Sequence, residues 1–399
     1  MLINFGFKNM TSFKEKAQLS LVAYNKLKTN RDALVTVNNT NVLKVACIYG
    51  ANASGKSNLI QSLMALTSLF GSVGEKDIPI LTKLYIPFKL STETENAPTS
   101  FFIDFYLQKL ETIFHYEFSI SAKEIVSESL SILGQKDVVL FQREKEKILY
   151  SNPEKFPEGK NINSLKLLRK DVSVLSISFL LNGPISKEIV KFFRQITRGN
   201  SNFRRGLTTK ISETELQDIA LALQNADVGV SGLGIHTLSE LAATQQEIFE
   251  LQFKHIKYNK ERSPMGEITF SRFEESDGTM RYMDLVRSLF DLKKTGGVLL
   301  VDELEQSLHP LLVENLIQKC NNKTNKNIQL IFTTHNTNLL HPNLFRKDQI
   351  YFVDKNKYGE SCLYSLVDYA KEARQDVNWE DRYLGGMYGA IPVLKTFRI

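Results

Sequence analysis

Cysteine is scarce in this chain of 399 residues, and what there is forms no pattern. Cys47, Cys320 and Cys362 are scattered and keep no metal-ligand spacing, which argues against a zinc site and against a disulfide framework. An odd count without a framework suits a reducing cytosol, and Cys47, inside an apolar stretch, reads as a small core residue. Long apolar runs are absent too: none reaches the roughly eighteen residues expected of a membrane-spanning helix. The opening Met1-Leu2-Ile3-Asn4-Phe5 lacks a basic start and a long apolar core, so it does not read as a secretory signal. These absences lead to the expectation of a cytoplasmic protein without membrane contact. Repeats, low-complexity tracts and Cys/His clusters are also missing, and Asp302-Glu303 is the sole acidic grouping that could serve a metal.

The length exceeds what one hydrophobic core usually spans, so a large domain with an inserted or appended subdomain is expected. Hydrophobic residues at 42% and charged residues at 24% are ordinary for a globular protein. The net charge of +6 permits contact with nucleic acid without demanding it; a lysine-rich solvated surface accounts for it equally well.

The most informative segment is Gly-Ala-Asn-Ala-Ser-Gly-Lys-Ser at residues 50–57. An apolar stretch, Val42 to Tyr49, precedes it and reads as a buried strand; Asn58 to Leu66 follows and reads as a helix. Strand, glycine-rich turn and helix start are the context a phosphate-binding loop requires. Glycines let the backbone wrap closely around phosphate oxygens, and free N–H groups at the positive helix end face the anion. The candidate nucleotide-binding residues are therefore Gly50, Asn52, Ala53, Ser54, Gly55, Lys56, Ser57 and Asn58. Lys56 can reach the β and γ phosphates and Ser57 can hold Mg²⁺. At a glycine frequency of about 7%, the four fixed positions recur by chance in roughly one chain in a hundred of this length.

Residues 1–150 read as the N-terminal half of a nucleotide domain. Leu2 to Asn9 alternates like a half-buried strand with Ala17 to Ala23 as its antiparallel partner, and residues 25–41 read as a loop. Meander strands are expected over 101–107, 113–120 and 124–130, with a hairpin over 138–150. Residues 151–265 are expected to be a mainly helical insertion, with Glu213 to Gln224 and Thr237 to Phe253 as its clearest helices. From 266 to 399 the chain returns to α/β alternation, with buried strands over 297–302, 328–334 and 349–353, which implies a largely parallel sheet.

Four further signals fall in that last segment. Val298-Leu299-Leu300-Val301 places Asp302 at a strand's carboxyl end, where it can orient Mg²⁺, and Glu303 can polarise the attacking water. Glu275-Ser276-Asp277-Gly278-Thr279 precedes a helix; it is either an anion cradle built on Ser276 and Gly278 or a simple helix cap. His335, past the strand Ile331-Phe332-Thr333-Thr334, can report a γ phosphate or stand in an ordinary turn. Glu305-Gln306-Ser307-Leu308-His309-Pro310 is either a loop that meets a second subunit or a plain lead-in to a helix.

This order of motifs resembles the ABC-type ATPase heads of the SMC, RecF and OLD-like families. More narrowly it is similar to the AAA-family ATPases of bacterial anti-phage modules, the group of RloA, the PARIS ATPase and Septu's PtuA. The matching segments are Phe5-x-x-Lys8-Asn9-x-x-Ser12-Phe13, residues 50–57, Asp302-Glu303-x-Glu305-x-Ser307-Leu308-His309-Pro310, Thr333-Thr334-His335-Asn336 and Arg382 to Pro392. They cover residues 1–90 and 266–399 well and the middle poorly.

The resemblance implies an α/β fold: an ABC-type ATPase head with an antiparallel β lobe, a largely parallel core sheet and a helical insertion. It also implies that two heads sandwich ATP and Mg²⁺. The phosphate loop of one subunit would then face Ser276 and Gly278 of the other, with Glu303 as base and His335 as sensor. The signature is shorter than the transporter form, and no glutamine stands out as the usual Mg²⁺- and water-contacting residue.

In the middle of the chain, Lys166, Arg169, Lys170, Lys191, Arg194, Arg198, Arg204 and Arg205 lie among Phe192, Phe193 and Phe203. Two readings stand: a surface that tracks DNA or another nucleic acid and stacks its bases, or an amphipathic helix with phenylalanines in the core. The expected function is a homodimeric or higher homo-oligomeric ATPase that acts as the sensor of an anti-phage, abortive-infection module and controls a separate effector nuclease. A RecF-like DNA-maintenance ATPase is the alternative, and a transporter subunit fits less well.

Overall fold

The computed structural model describes residues 1–70, 80–165, 167–199, 211–226, 228–241, 246–369, 372–374 and 376–392. The N-terminal strands are β1 (Leu2–Lys8), β2 (Ala17–Ser20), β3 (Leu34–Val37), β4 (Thr40–Leu43) and β5 (Val45–Tyr49). Helices α1 (Lys56–Ser68) and α2 (Ile80–Leu84) lead to β6 (Thr99–Leu107), β7 (Thr112–Ile120), β8 (Ile125–Leu133), β9 (Val138–Glu144) and β10 (Lys147–Ser151). Next come α3 (Glu158–Leu165), α4 (Val174–Leu180), α5 (Pro184–Arg194), β11 (Ile196–Arg198), α6 (Glu213–Gln224), β12 (Gly232–Leu241), β13 (Gln246–Tyr258) and β14 (Pro264–Phe270). The chain continues through α7 (Asp277–Thr295), β15 (Gly297–Val301), α8 (Pro310–Asn321), β16 (Ile328–Thr333), β17 (Ile350–Lys355), β18 (Ser361–Ser365) and α9 (Trp379–Leu384).

Two compact units result. The first comprises Met1–Thr197, Gly296–Glu303 and Ile317–Ile399; the second comprises Arg198–Thr295 and Leu304–Leu316. Helices α3, α4 and α5 thus group with the first unit and α6 with the second.

Within the first unit, an antiparallel sheet runs β10-β9-β8-β7-β6-β1-β2. Period-two alternation builds it: Phe114, Tyr116, Phe118 and Ile120 of β7 are buried while the residues between them are not. A second sheet runs β11-β15-β16-β5-β17-β18. Its strands β15, β16, β5 and β17 are parallel, and all five residues of β5 are buried, as a two-sided parallel strand requires. The expected antiparallel lobe and parallel core are both present. Residues 25–41, expected to be a loop, hold the start of the small β3–β4 hairpin.

Helix α5 closes the core between the sheets. Phe193 stacks on Phe70 at 4.3 Å and Phe192 on Phe105 at 4.7 Å, and both phenylalanines are buried. Arg143 and Glu128 form a fully buried ion pair of 3.1 Å; Glu128 also accepts from Tyr116 and the Val174 amide, and Arg143 donates to the Val172 carbonyl. The pair thereby fastens β8 and β9 to the chain leading into α4. Burial pushes the Glu128 carboxyl up, opposed by the Arg143 charge.

The second unit corrects one expectation. The described residues between Thr237 and Phe253 do not form a helix: they fall on β12 and β13, which pair antiparallel, with β14 on the far side of β13. The physical reason is a period of two. Leu251 and Phe253 are buried while Gln252 and Lys254 are partly exposed, although in the sequence Ile248 with Leu251 and Phe249 with Phe253 also give three- and four-residue spacings. The expected helix from Glu213 to Gln224 is present as α6, capped by Ser212 on the Glu215 amide.

On the antiparallel sheet, Asp104 of β6 stands opposite His115 of β7, with 2.5 Å between Oδ1 and Nδ1, and Glu117 lies 3.2 Å from His115 Nε2. The hydrogen bond to Asp104 holds the imidazole pKa above its ordinary value, with burial opposing it. A raised folded-state pKa stabilises the fold fully below the unfolded value of about 6.5, and that contribution is lost as pH rises through the folded pKa. His115→Gln is therefore expected to lower the melting temperature more at pH 6 than at pH 9, measured by thermal denaturation against the unsubstituted protein. Equal shifts at the two pH values would show that the imidazolium contributes nothing.

Candidate nucleotide site

Three neighbouring parallel strands deliver the site residues to one edge of the core sheet. Strand β5 ends at Tyr49 and passes directly into Gly50. Its neighbour β16 pairs Thr333 with Ile48, and β15 on the other side of β16 pairs Val301 with Phe332. Gly50, Thr333 and Asp302 therefore leave adjacent strands at their carboxyl ends, where ligands of open parallel sheets bind.

The phosphate loop is tightly held from behind. A Cβ on Gly55 would lie 2.6 Å from Ser361 Oγ and 2.7 Å from Ser12 Oγ, and its φ is +121°, so glycine is required there. Ser361 Oγ donates to the Ser54 carbonyl at 2.5 Å and lies 2.8 Å from Ser12 Oγ, which accepts from Asn58 Nδ2 at 2.7 Å. The Asn58 side chain thus braces the loop against the N-terminal segment. Ala53 adopts φ +61°, a left-handed conformation that bends the loop between its two glycines.

Gly55 is the N-cap of α1 and has no side chain to cap it, so the first amides of the helix face the loop cavity together with the positive end of the helix. Lys56 is 6% exposed, and its ammonium donates to the carbonyls of Gly50 at 2.8 Å and Ala51 at 3.0 Å. Ser57, the second helical residue, is half-buried. Amides, ammonium and hydroxyl form the donor set that a triphosphate with Mg²⁺ requires.

The acidic pair is fixed by a residue that sequence reading quoted without a role. Thr333 is fully buried; its hydroxyl donates to Asp302 Oδ1 at 2.6 Å and accepts the Glu303 N–H at 2.8 Å. One threonine thus sets the direction of the Asp302 carboxylate and the backbone of Glu303. Glu303 has φ +50° and is exposed just past the strand end. A bulky residue in the left-handed region is costly and marks a position fixed by its surroundings.

His335 lies two residues past Thr333 and is exposed. The turn after it is held by the Asn336 N–H donating to Thr334 Oγ1 at 3.0 Å and by Tyr49 Oη donating to the Asn336 carbonyl at 3.2 Å. Tyr49, the last residue before the phosphate loop, therefore links that loop to the histidine turn.

In the second unit, Ser276 caps α7: its hydroxyl accepts the Thr279 N–H at 3.0 Å. Gly278 follows in the first turn, and a Cβ there would lie 2.7 Å from the Ser307 carbonyl. Ser307 itself has φ +59°, so the loop Glu305 to Pro310 packs its backbone against the helix start. The cap reading of Ser276 is present as geometry, and Ser276 and Asp277 at the helix start are exposed.

Of the basic segment in the middle, helix α5 follows the second reading. Phe192 and Phe193 are core residues, whereas Arg169, Lys170, Lys191, Arg194 and Arg198 are exposed. Arg169 pairs with Asp171, and Arg194 lies over the Phe179 ring. Phe192 and Phe193 are therefore not offered for base stacking. Lys166, Phe203, Arg204 and Arg205 lie outside the described residues. Among the described residues no group of three or more His, Cys, Asp or Glu could hold a metal ion, and no helix is long and apolar enough to cross a membrane.

Fold and site together define a P-loop nucleotide-binding protein of mixed α/β architecture. The chain belongs to the AAA-domain family described as "AAA domain, putative AbiEii toxin, Type IV TA system", whose model matches residues 45–341. Comparison with curated proteins gave no match. Among solved structures the chain is similar to an SMC head bound to the C-winged helix domain of ScpA, at 15% identity, covering 92% of this chain and 99% of that one, with a TM-score of 0.45. It is also similar to an SMC head with an extended coiled coil bound to the C-terminal domain of ScpA, from Pyrococcus furiosus, at 12% identity, coverage of 92% and 97%, and a TM-score of 0.45. The SMC head domain from Thermotoga maritima is similar at 13% identity, coverage of 91% and 98%, and a TM-score of 0.37.

Proposed function

We propose that the protein binds and hydrolyses ATP, dimerises around it, and serves as the sensor subunit of an anti-phage, abortive-infection module whose effector nuclease is a separate chain. The observation that carries the hydrolytic reading is Thr333 holding Asp302 and Glu303 at the strand edge that also bears the phosphate loop. In this reading Lys56 and the loop amides bind the phosphates. Ser57 and Asp302 would hold Mg²⁺, which offsets phosphate charge. Glu303 accepts the proton of the attacking water, and His335 hydrogen-bonds the terminal phosphate. Ser276 and Gly278, at an exposed helix start, close over the site of a second copy.

The toxin–antitoxin wording of the family description is in keeping with a role in defence. The resemblance of the motif pattern to that of RloA, the PARIS ATPase and Septu's PtuA is in keeping with the same role. Burial of Phe192 and Phe193 removes these two phenylalanines from base stacking, which favours this role over a RecF-like ATPase.

The test is the assembly state of the Glu303→Gln protein, measured by mass photometry with and without ATP and Mg²⁺. A shift to dimer or higher that appears only with ATP, and is lost in Glu303→Gln/Ser276→Arg, is the expected result. A mass that ATP does not change would overturn nucleotide-dependent closure.

A further inference from the structure

The segment that carries α9 packs beside the candidate site without contributing any of the residues assigned to it. Trp379, 1% exposed, donates its indole N–H to the Arg374 carbonyl at 2.8 Å. Tyr383 and Tyr388 pack on Phe352 of β17 at 5.4 Å and 5.7 Å, and Tyr364 Oη donates to the Tyr388 carbonyl at 2.7 Å. Asn378 caps α9 by accepting the Glu380 and Asp381 amides. These contacts dock the segment, and none of them uses the Glu380 side chain.

Glu380 reaches instead to the histidine turn. Its Oε1 accepts the Thr337 hydroxyl at 2.6 Å. Thr337 opens the short 3-10 turn that follows His335 and Asn336, and Asn336 caps that turn by accepting the Asn338 N–H at 3.1 Å. A second hold comes through Tyr49. Its ring packs edge-on against Tyr383 of α9 at 5.7 Å while its hydroxyl donates to the Asn336 carbonyl. The two residues after His335 are thus pinned separately, one by the end of the phosphate-loop strand and one by a carboxylate of α9.

We infer that the α9 segment is a brace for the His335 turn and that Glu380 is a positioning residue for hydrolysis, acting through Thr337; this rests on the reading of His335 as the γ-phosphate sensor. Because the segment is docked by its aromatic residues, the bond from Thr337 to Glu380 is dispensable for folding. Its effect falls on where the imidazole sits. A turn that keeps only the Tyr49 hold lets the exposed histidine sample more orientations, and one misplaced hydrogen bond lowers the rate without changing how the phosphates are cradled. Any partner that displaced α9 would change the ATPase rate through the same link.

The experiment is steady-state ATP turnover and nucleotide affinity in the full chain for Glu380→Ala, Thr337→Val, the double variant and Glu380→Gln, with His335→Ala alongside. Expected is a fall in kcat of about tenfold for each single variant, the scale of one lost hydrogen bond. Nucleotide affinity and melting temperature stay near those of the unsubstituted protein. The double variant is no slower than either single, as two ends of one bond require. Glu380→Gln, whose amide oxygen still accepts the Thr337 hydroxyl, recovers most of the rate. Thr337→Val, nearly isosteric, keeps the test open if Glu380→Ala folds poorly. Normal kcat in Glu380→Ala and Thr337→Val beside a slow His335→Ala would overturn the brace and leave the sensor reading standing. Normal kcat in His335→Ala would overturn the sensor reading itself.

Discussion

Glu303→Gln is expected to lower ATP turnover by about 10²–10⁴-fold, the range a positioned general base supplies, while ATP affinity stays within about twofold. The amide keeps the size and hydrogen-bonding oxygen of the carboxylate but cannot take a proton from water. Geometry separates the two effects. The Glu303 backbone is tied to Thr333 and its side chain is exposed, whereas the loop carbonyls are engaged by Lys56. Removing the charge therefore leaves the phosphate cradle as it is. Single-turnover hydrolysis and equilibrium binding of a fluorescent ATP analogue measure the two quantities independently. Wild-type turnover in Glu303→Gln would mean that another group is the base.

Lys56→Ala acts on the other quantity and is expected to abolish ATP binding at ordinary assay concentrations. Truncating one partner of a desolvated charge pair costs about 2–5 kcal/mol. Each 1.4 kcal/mol is about tenfold in Kd, so affinity falls by roughly 30-fold to several-thousandfold. Lys56 is buried and its ammonium already bridges the Gly50 and Ala51 carbonyls, so alanine also removes a tie that shapes the loop. Isothermal titration with ATP and Mg²⁺ checks this. An affinity within about threefold of the unsubstituted protein, less than 1.4 kcal/mol, would show that the loop does not cradle the phosphates through this lysine.

Most of the candidate site is legible in the sequence because its parts are local. Residues 50–57 announce a loop between strand and helix, and four apolar residues before Asp302 announce a strand end. What the sequence could not show depends on pairings across hundreds of residues. Thr333 acquires its role only when β16 lies beside β15, and Ser361 and Ser12 back the phosphate loop from opposite ends of the chain. Glu380 lies 43 positions from its partner Thr337 and carries no motif. Thr237 to Phe253 is ambiguous in the sequence for a different reason: its apolar residues fit helical and strand periods alike, and pairing of β13 with β14 goes with the strand. The phenylalanines of α5 were ambiguous until Phe70 and Phe105 supplied their partners.

The position of β5 between β16 and β17 carries a consequence for biosynthesis. Its five buried residues pair with Leu330–Thr333 on one side and Ile350–Phe352 on the other, close to three hundred positions later in the chain. During translation the phosphate loop is made early, but the strand that presents it lacks both neighbours until most of the polypeptide has emerged, a late and non-local closure of the kind that slows folding. In the proposed reading, nucleotide capture thus waits for β16 and β17. A ribosome-bound nascent chain that stops short of residue 350 carries the complete loop sequence and yet has no rigid cradle to offer the nucleotide.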